Sequence, residues 1–561
     1  MKKLTLLIFL SLSIFTAAFT QSCLPDGITF TSQAEIDNFQ TNYPNCTEIS
    51  GEVLISGGDD ITNFDGLNMI TSIGSRLVIE NCVGLHNLSG LANLINIDGG
   101  FNIIGNNLLY NFEGLNNLTS IGGYFGIYAN DSLSDLTSLS NLTSIGGKIT
   151  IINNKTLQNL FGLENINEGT ITNLDIYNNQ SLSICNVQSI CDYLVSPNGT
   201  INIYDNSTGC NTPSEIANQC GITLNCLPFG NYYLRSQADI DNFFSNYPDC
   251  FDLKGKLHIR GNNIKNLLDL YGLKTIETEF VVERCDSLVN FEGLNTLSHI
   301  HGNFWVGKNY PYYGNSKLTN FSGLDSLTSI GGYFSIKYNE SLIDFSGLEN
   351  LTTIGQFHIQ RNYSLTSLTG LNNVDSIYNG FTIYGESRLH DLSEISNLKY
   401  VGTSIRISHT DSLTSLTGLD NINTNDIWTL TIDWNDQLSI CDVKSICEYL
   451  DDPLNSAWIL GNSSGCYNRI EVVEACEIVS SPIFDTELDV LFYPNPAKNI
   501  LYISNHNVTP QELIIYNYLG QKVKKRKDPC RQIDISMLEK GIYILEIIST
   551  KSRLRKKLII Q

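Results

Sequence analysis

The segment LTSIGGYFGIYANDSL, residues 118–133, returns as LTSIGGYFSIKYNESL at residues 327–342. Both are copies of one period, Leu-x-x-Ile-Gly-Gly-x-Phe-x-Ile-x-x-Asn-x-x-Leu-x-x-Leu-x-Gly-Leu. Its second Ile recurs at Ile55, Ile79, Ile103, Ile127, Ile151 and Ile176, then at Ile259, Val282, Val306, Ile336, Ile359, Ile383, Ile407 and Ile432. Spacings are almost all 23 to 25 residues, with one step of 30. A unit this short cannot enclose its own apolar residues, so the copies must stack and share a core. Phe101, Phe125, Phe280, Phe304, Phe334, Phe357 and Phe381 lie two residues before their Ile. That alternation predicts a short strand with one buried face in each rung. Stacking then gives each Ile roughly 1.5–3 kcal/mol of burial.

Three residues after the Ile the chain must turn. Asn106, Asn130, Asn154, Asn179, Asn262, Asn309, Asn339, Asn362 and Asn435 stand there, where a side-chain amide can satisfy buried turn groups in a ladder. Cys82 and Cys285 occupy the same column and read as unpaired, buried thiols.

Two solenoids are predicted, residues 23–225 with six rungs and residues 226–480 with eight. CLPDGITFTSQAEIDNFQTNYPNC (23–46) parallels CLPFGNYYLRSQADIDNFFSNYPDC (226–250), each with a helix start of Ser-x-x-Glu/Asp type at Ser32 or Ser236. LSICNVQSICDYL and LSICDVKSICEYL close the other ends. Such caps cover the apolar core and strand edges that an open solenoid would expose. The pairings expected are Cys23 with Cys46 and Cys226 with Cys250. The clusters Cys185, Cys191, Cys210, Cys220 and Cys441, Cys447, Cys466, Cys476 each allow three pairings.

The 15 cysteines include no Cys-x-x-Cys pair and no Cys/His cluster of zinc spacing, so they point to disulfides in an exported protein and to no metal or cofactor. Lys2, Lys3, the apolar run Leu4–Ala18 and small residues near its end mark residues 1–22 as a signal peptide. Cys23 stands where a lipoprotein carries its lipid, but Thr20 replaces the expected Leu, and its twin Cys226 lies mid-chain. No other stretch is apolar for the roughly 18 residues a membrane-spanning helix needs. Residues 21–484 carry 19 Lys/Arg against 49 Asp/Glu, which argues against a nucleic-acid partner. Residues 485–561 carry 13 against 8 and form a third part.

The GGxFxIxxN rungs, the Asn-or-Cys column, the first disulfide-closed helix and the cysteine-rich end resemble the receptor L domain of insulin- and epidermal-growth-factor-type receptors. The resemblance implies two right-handed parallel β-helices related to leucine-rich repeats, with helical disulfide caps. No cysteine-rich module separates the copies and no membrane helix or kinase follows, so receptor signalling is not implied. YPNPAKNILYI (493–503), LIIYNYLGQKV (513–523), IDISMLEKGIYILEI (533–547) and KKLIIQ (556–561) resemble the type A sorting domain of the bacterial type IX secretion system. Their short alternating strands and turns predict a small β-sandwich, making the chain mainly β throughout. The resemblance implies engagement of the type IX machinery, removal of this domain, and a secreted or outer-membrane-associated product. The run KVKKRK (522–527) reads as a solvated turn.

Gly461-Asn462-Ser463-Ser464-Gly465 fits the Gly-x-Ser-x-Gly pattern of hydrolases, yet lacks their strand-turn-helix setting and reads as a turn. Asp131-Ser132-Leu133 and its repeats resemble a bacterial O-glycosylation motif, or else support the turn. No paired carboxylates, His-Glu-x-x-His helix or phosphate loop stands out, so no enzyme is expected.

Variation concentrates beside the core columns. In the first solenoid the positions flanking each Ile hold no Lys or Arg. In the second they hold His258, Arg260, Arg284, Trp305, Lys308, Lys337, Tyr338, His358, Arg361, Tyr384, Arg406, His409 and Trp434, and beside them the insertion bearing Tyr310, Tyr312 and Tyr313. A basic, aromatic strip offers carboxylate forks and stacking faces suited to an acidic glycan or protein surface. The expectation is a secreted, non-catalytic binding or adhesion protein with an extracellular glycan or protein ligand; the competing reading is a structural coat component.

Overall fold

A computed structural model describes residues 22–308, 314–479, 491–504, 511–527, 532–548 and 553–561. The expected signal peptide therefore lies almost wholly outside the described residues, as do Tyr310, Tyr312 and Tyr313. The chain is mainly β, with large parallel sheets, and divides into two compact units: Met1–Tyr233 with Asn246–Pro248, and Leu234–Ser245 with Asp249–Gln561.

In the first unit the alternating segments form an eight-stranded parallel sheet, from Ile28–Phe30 through Val53–Ile55, Leu77–Glu80, Phe101–Ile104, Phe125–Tyr128, Ile149–Ile152 and Leu174–Tyr177 to Ile201–Tyr204. Like pairs with like: Phe125 lies beside Phe101, and Ile127 between Ile103 and Ile151. Six rungs were expected; the first and last of these strands come from the caps. A second, narrow parallel ladder of two-residue strands, including Ser72–Ile73, Asn96–Ile97 and Ser120–Ile121, was not foreseen. It explains why the first Ile of each period is also buried. The Gly-Gly pair between the ladders turns a corner against the rung below: a Cβ on Gly122 would sit 2.2 Å from the Asp98 carbonyl oxygen.

Buried amides run along the first unit at the following turn. The Asn106 and Asn130 N–H groups donate to Asn130 Oδ1 and Asn154 Oδ1 at 3.0 Å, and Asn154 N–H to Asn179 Oδ1 at 2.9 Å. Each Nδ2 in turn donates to a strand carbonyl of the preceding rung, such as Asn130 Nδ2 to Ile103 O at 3.0 Å. Cys82 fills the same column as a free, buried thiol whose N–H donates to Asn106 Oδ1, and burial pushes its pKa up.

Disulfides close the ends. Cys23 pairs with Cys46, Cys185 with Cys210 and Cys191 with Cys220; the other unit repeats the pattern with Cys441–Cys466 and Cys447–Cys476. Cys226 and Cys250 are both disulfide-bonded. Helix Gln33–Asp37 starts on a capping box between Ser32 and Glu35, and Gln237–Asp241 on one between Ser236 and Asp239.

In the second unit the long parallel sheet runs Leu257–Ile259, Glu279–Val282, Asn303–Val306, Ser329–Lys337, Thr353–Gln360, Phe381–Tyr384, Ser404–Ser408, Thr429–Asp433 and Ser456–Leu460. Its interior carries two Phe columns: Phe280, Phe304 and Phe334 stack 4.8 and 5.2 Å apart, and Phe291, Phe321 and Phe345 stack 5.3 Å apart. Phe304 and Phe321 meet edge to face, the arrangement the aromatic quadrupole favours.

The turn column here corrects the sequence reading twice. Asn309 lies outside the described residues, and Asn315 takes the ladder position, accepting from Cys285 N–H and donating to Asn339 Oδ1. The extra residues of the long step thus fall before the turn, and the ladder keeps its register across them. Asn262 is exposed and outside the buried run. Further on, Glu386 and Thr410 stand where Asn was the rule; both Glu386 carboxylate oxygens accept from Asn362 N–H.

In the C-terminal region two antiparallel sheets close on one apolar cluster that includes Leu501, Leu513, Ile515, Ile533, Leu545 and Leu558. The run expected as a turn is instead the edge strand Lys522–Lys527, whose lysines discourage pairing with other chains.

Asn130→Ala strands the Asn106 N–H and the Ile103 carbonyl in the interior. The expected loss is roughly 1–3 kcal/mol for each buried group left unpaired, read as a lowered denaturant midpoint with disulfides intact. Burial pushes the Glu386 carboxyl up to about 8, against the opposing hydrogen bonds from Asn362. A folded pKa above the ordinary 4.5 means that its contribution to stability is full below about pH 4.5 and lost as pH rises through about 8. Glu386→Gln keeps an acceptor for Asn362 without the charge, so its melting temperature is expected to exceed the parent's at pH 8 and to converge with it near pH 5.

Candidate binding face

Because side chains alternate along each strand, the residues before and after each core Ile share the outer face of the sheet. Register aligns them into columns. One runs His258, Val281, Trp305, Ser335, His358, Thr382, Arg406, Thr431 and Trp458. Beside it Lys337, Gln360, Tyr384, Ser408, Asp433 and Leu460 align, with Arg260 and Glu283 in the equivalent place on earlier rungs.

A third column stands at the residue after these, where the chain leaves the strand with positive φ. In the first unit it holds Asn81, Gly105, Ala129, Asn153, Asn178 and Asp205, mostly types that accept the left-handed region. In the second it holds Arg284, Tyr338, Arg361, His409 and Trp434, at φ between 54° and 58°, together with Gly385 and Gly461. Each bulky residue there costs of order 1 kcal/mol relative to Gly or Asn. Five in one column, on one face, is the feature that most separates the two units.

Charge divides this face into two parts. At its first end, Glu283 is 2 % exposed and gathers basic side chains: His258 Nε2 lies 2.8 Å from its Oε1, Arg260 at 3.9 Å and Lys308 at 3.9 Å. Burial acts to raise the Glu283 pKa, but the His258 hydrogen bond and the nearby cations outweigh it and hold the carboxyl below its usual range. Burial pushes the His258 imidazole down to about 4, so a neutral ring donates to a carboxylate whose counter-charge comes from Lys308 and Arg260. Glu279 similarly pairs with Lys256 at 2.9 Å and accepts from Trp305 Nε1 at 3.3 Å.

From Ser329–Lys337 onward compensation stops. Lys337 is 5 % exposed, which corrects its expected place on an open strip, and among the described residues its ammonium has neither ion pair nor hydrogen bond. Arg361 and Arg406 flank the Tyr384 ring at 6.0 and 5.3 Å from its centroid, and Arg406 Nε donates to Ser408 Oγ at 3.1 Å. Arg361 Nη1 reaches the Tyr338 hydroxyl at 3.5 Å, and the His409 ring lies 5.1 Å from Tyr384. The next acid in these columns is Asp433, which accepts a hydrogen bond from Ser408 Oγ.

The structure thus brings Arg260, Lys308 and Trp305 into one cluster and Tyr338, Arg361, Tyr384, Arg406 and His409 into another. Arg284 occupies the positive-φ column at the compensated end, and Trp434 is 51 % exposed at the far end, its ring over Gly461. A Cβ on Gly461 would come within 2.8 Å of that ring, and Asn462 Oδ1 accepts from Asn435 N–H, so the Gly-x-Ser-x-Gly segment serves the terminal turn. Sequence reading missed Ser335, Gln360 and the 56 % exposed Trp458. The first two are ordinary polar residues, and Trp458 sits on a cap strand that the repeat does not announce. Among the described residues no three His, Cys, Asp or Glu side chains converge as a metal site requires. A hollow lined by Leu450, Arg469, Tyr516 and Arg555 lies away from this face.

Among the described residues no helix is long and apolar enough to cross a membrane. No curated protein matches the chain. Residues 491–561 match the family described as secretion system C-terminal sorting domain. This stretch is a type IX sorting domain, which takes the chain to that secretion machinery and so to the cell surface or the medium.

Proposed function

We propose that the chain is a non-catalytic binding protein, exported by the type IX route, that recognises an acidic ligand through the outer strand face of its second half. In this reading residues 23–225 and 226–480 are two solenoids related to receptor L domains and leucine-rich repeats, and residues 485–561 are the export part. The observation that carries it is the positive-φ column: Arg284, Tyr338, Arg361, His409 and Trp434 occupy backbone positions that stability alone would give to Gly or Asn. The same column in the first unit is Gly, Asn or Asp except at Ala129, so the departure is not a demand of the repeat. A coat role without a discrete ligand fits the first unit, which has no Lys or Arg beside its core Ile column, but leaves that column unexplained.

Binding of the protein to an acidic glycan panel and to acidic protein surfaces tests the reading. The triple variant Trp305→Ala, Tyr338→Ala, Arg361→Ala is expected to lose at least tenfold in affinity, with the parent's binding weakening as salt rises. Unchanged affinity in the triple variant rejects the face as the contact surface.

A further inference from the structure

Resting on that reading, we infer that Ser335, Lys337 and His358, with Arg406 beside them, form the anion-receiving subsite for an oligosaccharide that carries carboxylate or sulfate groups and lies across the strands toward Trp434 and Trp458.

Three independent observations converge on this point of the face. Lys337 is 5 % exposed and its ammonium has no ion pair or hydrogen bond among the described residues, whereas Glu283 at the other end of the same face has His258, Arg260 and Lys308 around it. A buried charge is costly unless it is paired, so a cation kept here calls for a partner that arrives from outside. Ser335, fully buried two residues earlier on the same strand, has a hydroxyl with no hydrogen-bond partner. Such an orphan donor is costly too, and an oxyanion satisfies it. His358 is the register neighbour of Ser335, and Thr382 separates it from Arg406 along the column. Burial, together with the charges of Lys337 and Arg406, pushes the His358 imidazole down to about 4. At neutral pH it is therefore an uncharged group suited to a sugar hydroxyl, and the positive charge comes from Lys337 and Arg406.

No acid in these columns competes for the site. Between Glu283 and Asp433 these columns hold Trp305, Ser335, Lys337, His358, Gln360, Thr382, Tyr384, Arg406 and Ser408, none of them acidic, and Glu283 Oε1 and Asp433 Oδ1 already take hydrogen bonds from His258 and Ser408. Glu386, the nearby exception in the turn column, is fully buried in the ladder and held by Asn362.

Saccharide chemistry is favoured by what lies alongside. Exposed Trp434 and Trp458 present flat faces on the strands Thr429–Asp433 and Ser456–Leu460 or directly after them. Strands ~4.8 Å apart place the anion subsite about 19 Å, four strand steps, from Trp434, a span suited to a short sugar chain. Aromatic rings stack on the C–H faces of sugars, and a sparsely charged saccharide suits an isolated cation on a body of net charge −23 better than a densely charged nucleic acid does.

The test is calorimetric titration of the full chain with a uronic-acid tetrasaccharide, a sulfated tetrasaccharide, their neutral counterpart and a single-stranded DNA tetramer. Lys337→Met preserves length and removes the buried charge; its melting temperature is expected to match or exceed the parent's, which shows that it folds. It is expected to bind whichever acidic tetrasaccharide the parent prefers at least tenfold more weakly, while the neutral counterpart changes less than twofold. Ser335→Ala is expected to weaken the same ligand severalfold. If Lys337→Met binds as the parent does while the Trp305, Tyr338, Arg361 triple variant does not, the subsite is wrong and the face stands. If neither variant matters, both fall. Equal affinity for acidic and neutral sugars, or a Lys337-dependent preference for the DNA, overturns the saccharide assignment.

Discussion

The buried amide ladder is the constraint from which the rest of the structure follows. Each Asn of the column is tied twice to the rung before it, its Oδ1 accepting from that rung's turn N–H and its Nδ2 donating to that rung's strand carbonyl. A rung that slipped by one residue would orphan those groups and turn its Phe and Ile outward. The ladder therefore fixes both where each turn falls and which side chains face the interior. Its tolerance is as informative as its strictness. Cys82, Cys285, Glu386 and Thr410 replace Asn without breaking the stack, and the long step is absorbed because Asn315 falls back into register after it.

Fixed register has a second effect: it turns the outer face into a set of straight columns, so that one residue type repeated per rung becomes a continuous surface. The two units use this differently. In the first, the column at positive φ is Gly, Asn or Asp except at Ala129, and beside it Tyr177, Tyr204 and Tyr233 stack on one another with no Lys or Arg flanking the core Ile column. In the second, large cationic and aromatic side chains stand at positions the backbone resists. The interior of the second carries two interlocking Phe columns, whereas Phe101 and Phe125 are stacked in the first.

Electrostatics then separates what sequence pattern had joined. Arg260, Lys308 and Lys337 look alike as basic residues flanking a core Ile. The first two approach Glu283 to 3.9 Å; the third faces no acid. Pairing across strands decides this, because Glu283 comes close to Arg260 and Lys308 only when three rungs stack. The exported destination is set separately, by residues 491–561, whose short strands hold their own apolar cluster.

The 24-residue rhythm, the inward Ile and Phe columns, the capping boxes and the sorting tail were legible in the chain itself, since each depends on spacing or on contacts between near neighbours in sequence. The narrow second ladder was not, because two-residue strands leave no alternation to read. Nor were Ser335 and Trp458, whose significance lies in what stands beside them on other rungs, nor the KVKKRK strand, which owes its conformation to pairing with Glu512–Tyr516. Local pattern thus determined what the rungs are and which way they face. Only the stacking of rungs 23 to 30 residues apart decided which charges are neutralised and which await a partner, because Coulomb interactions depend on distance in space and the sequence records only distance along the chain.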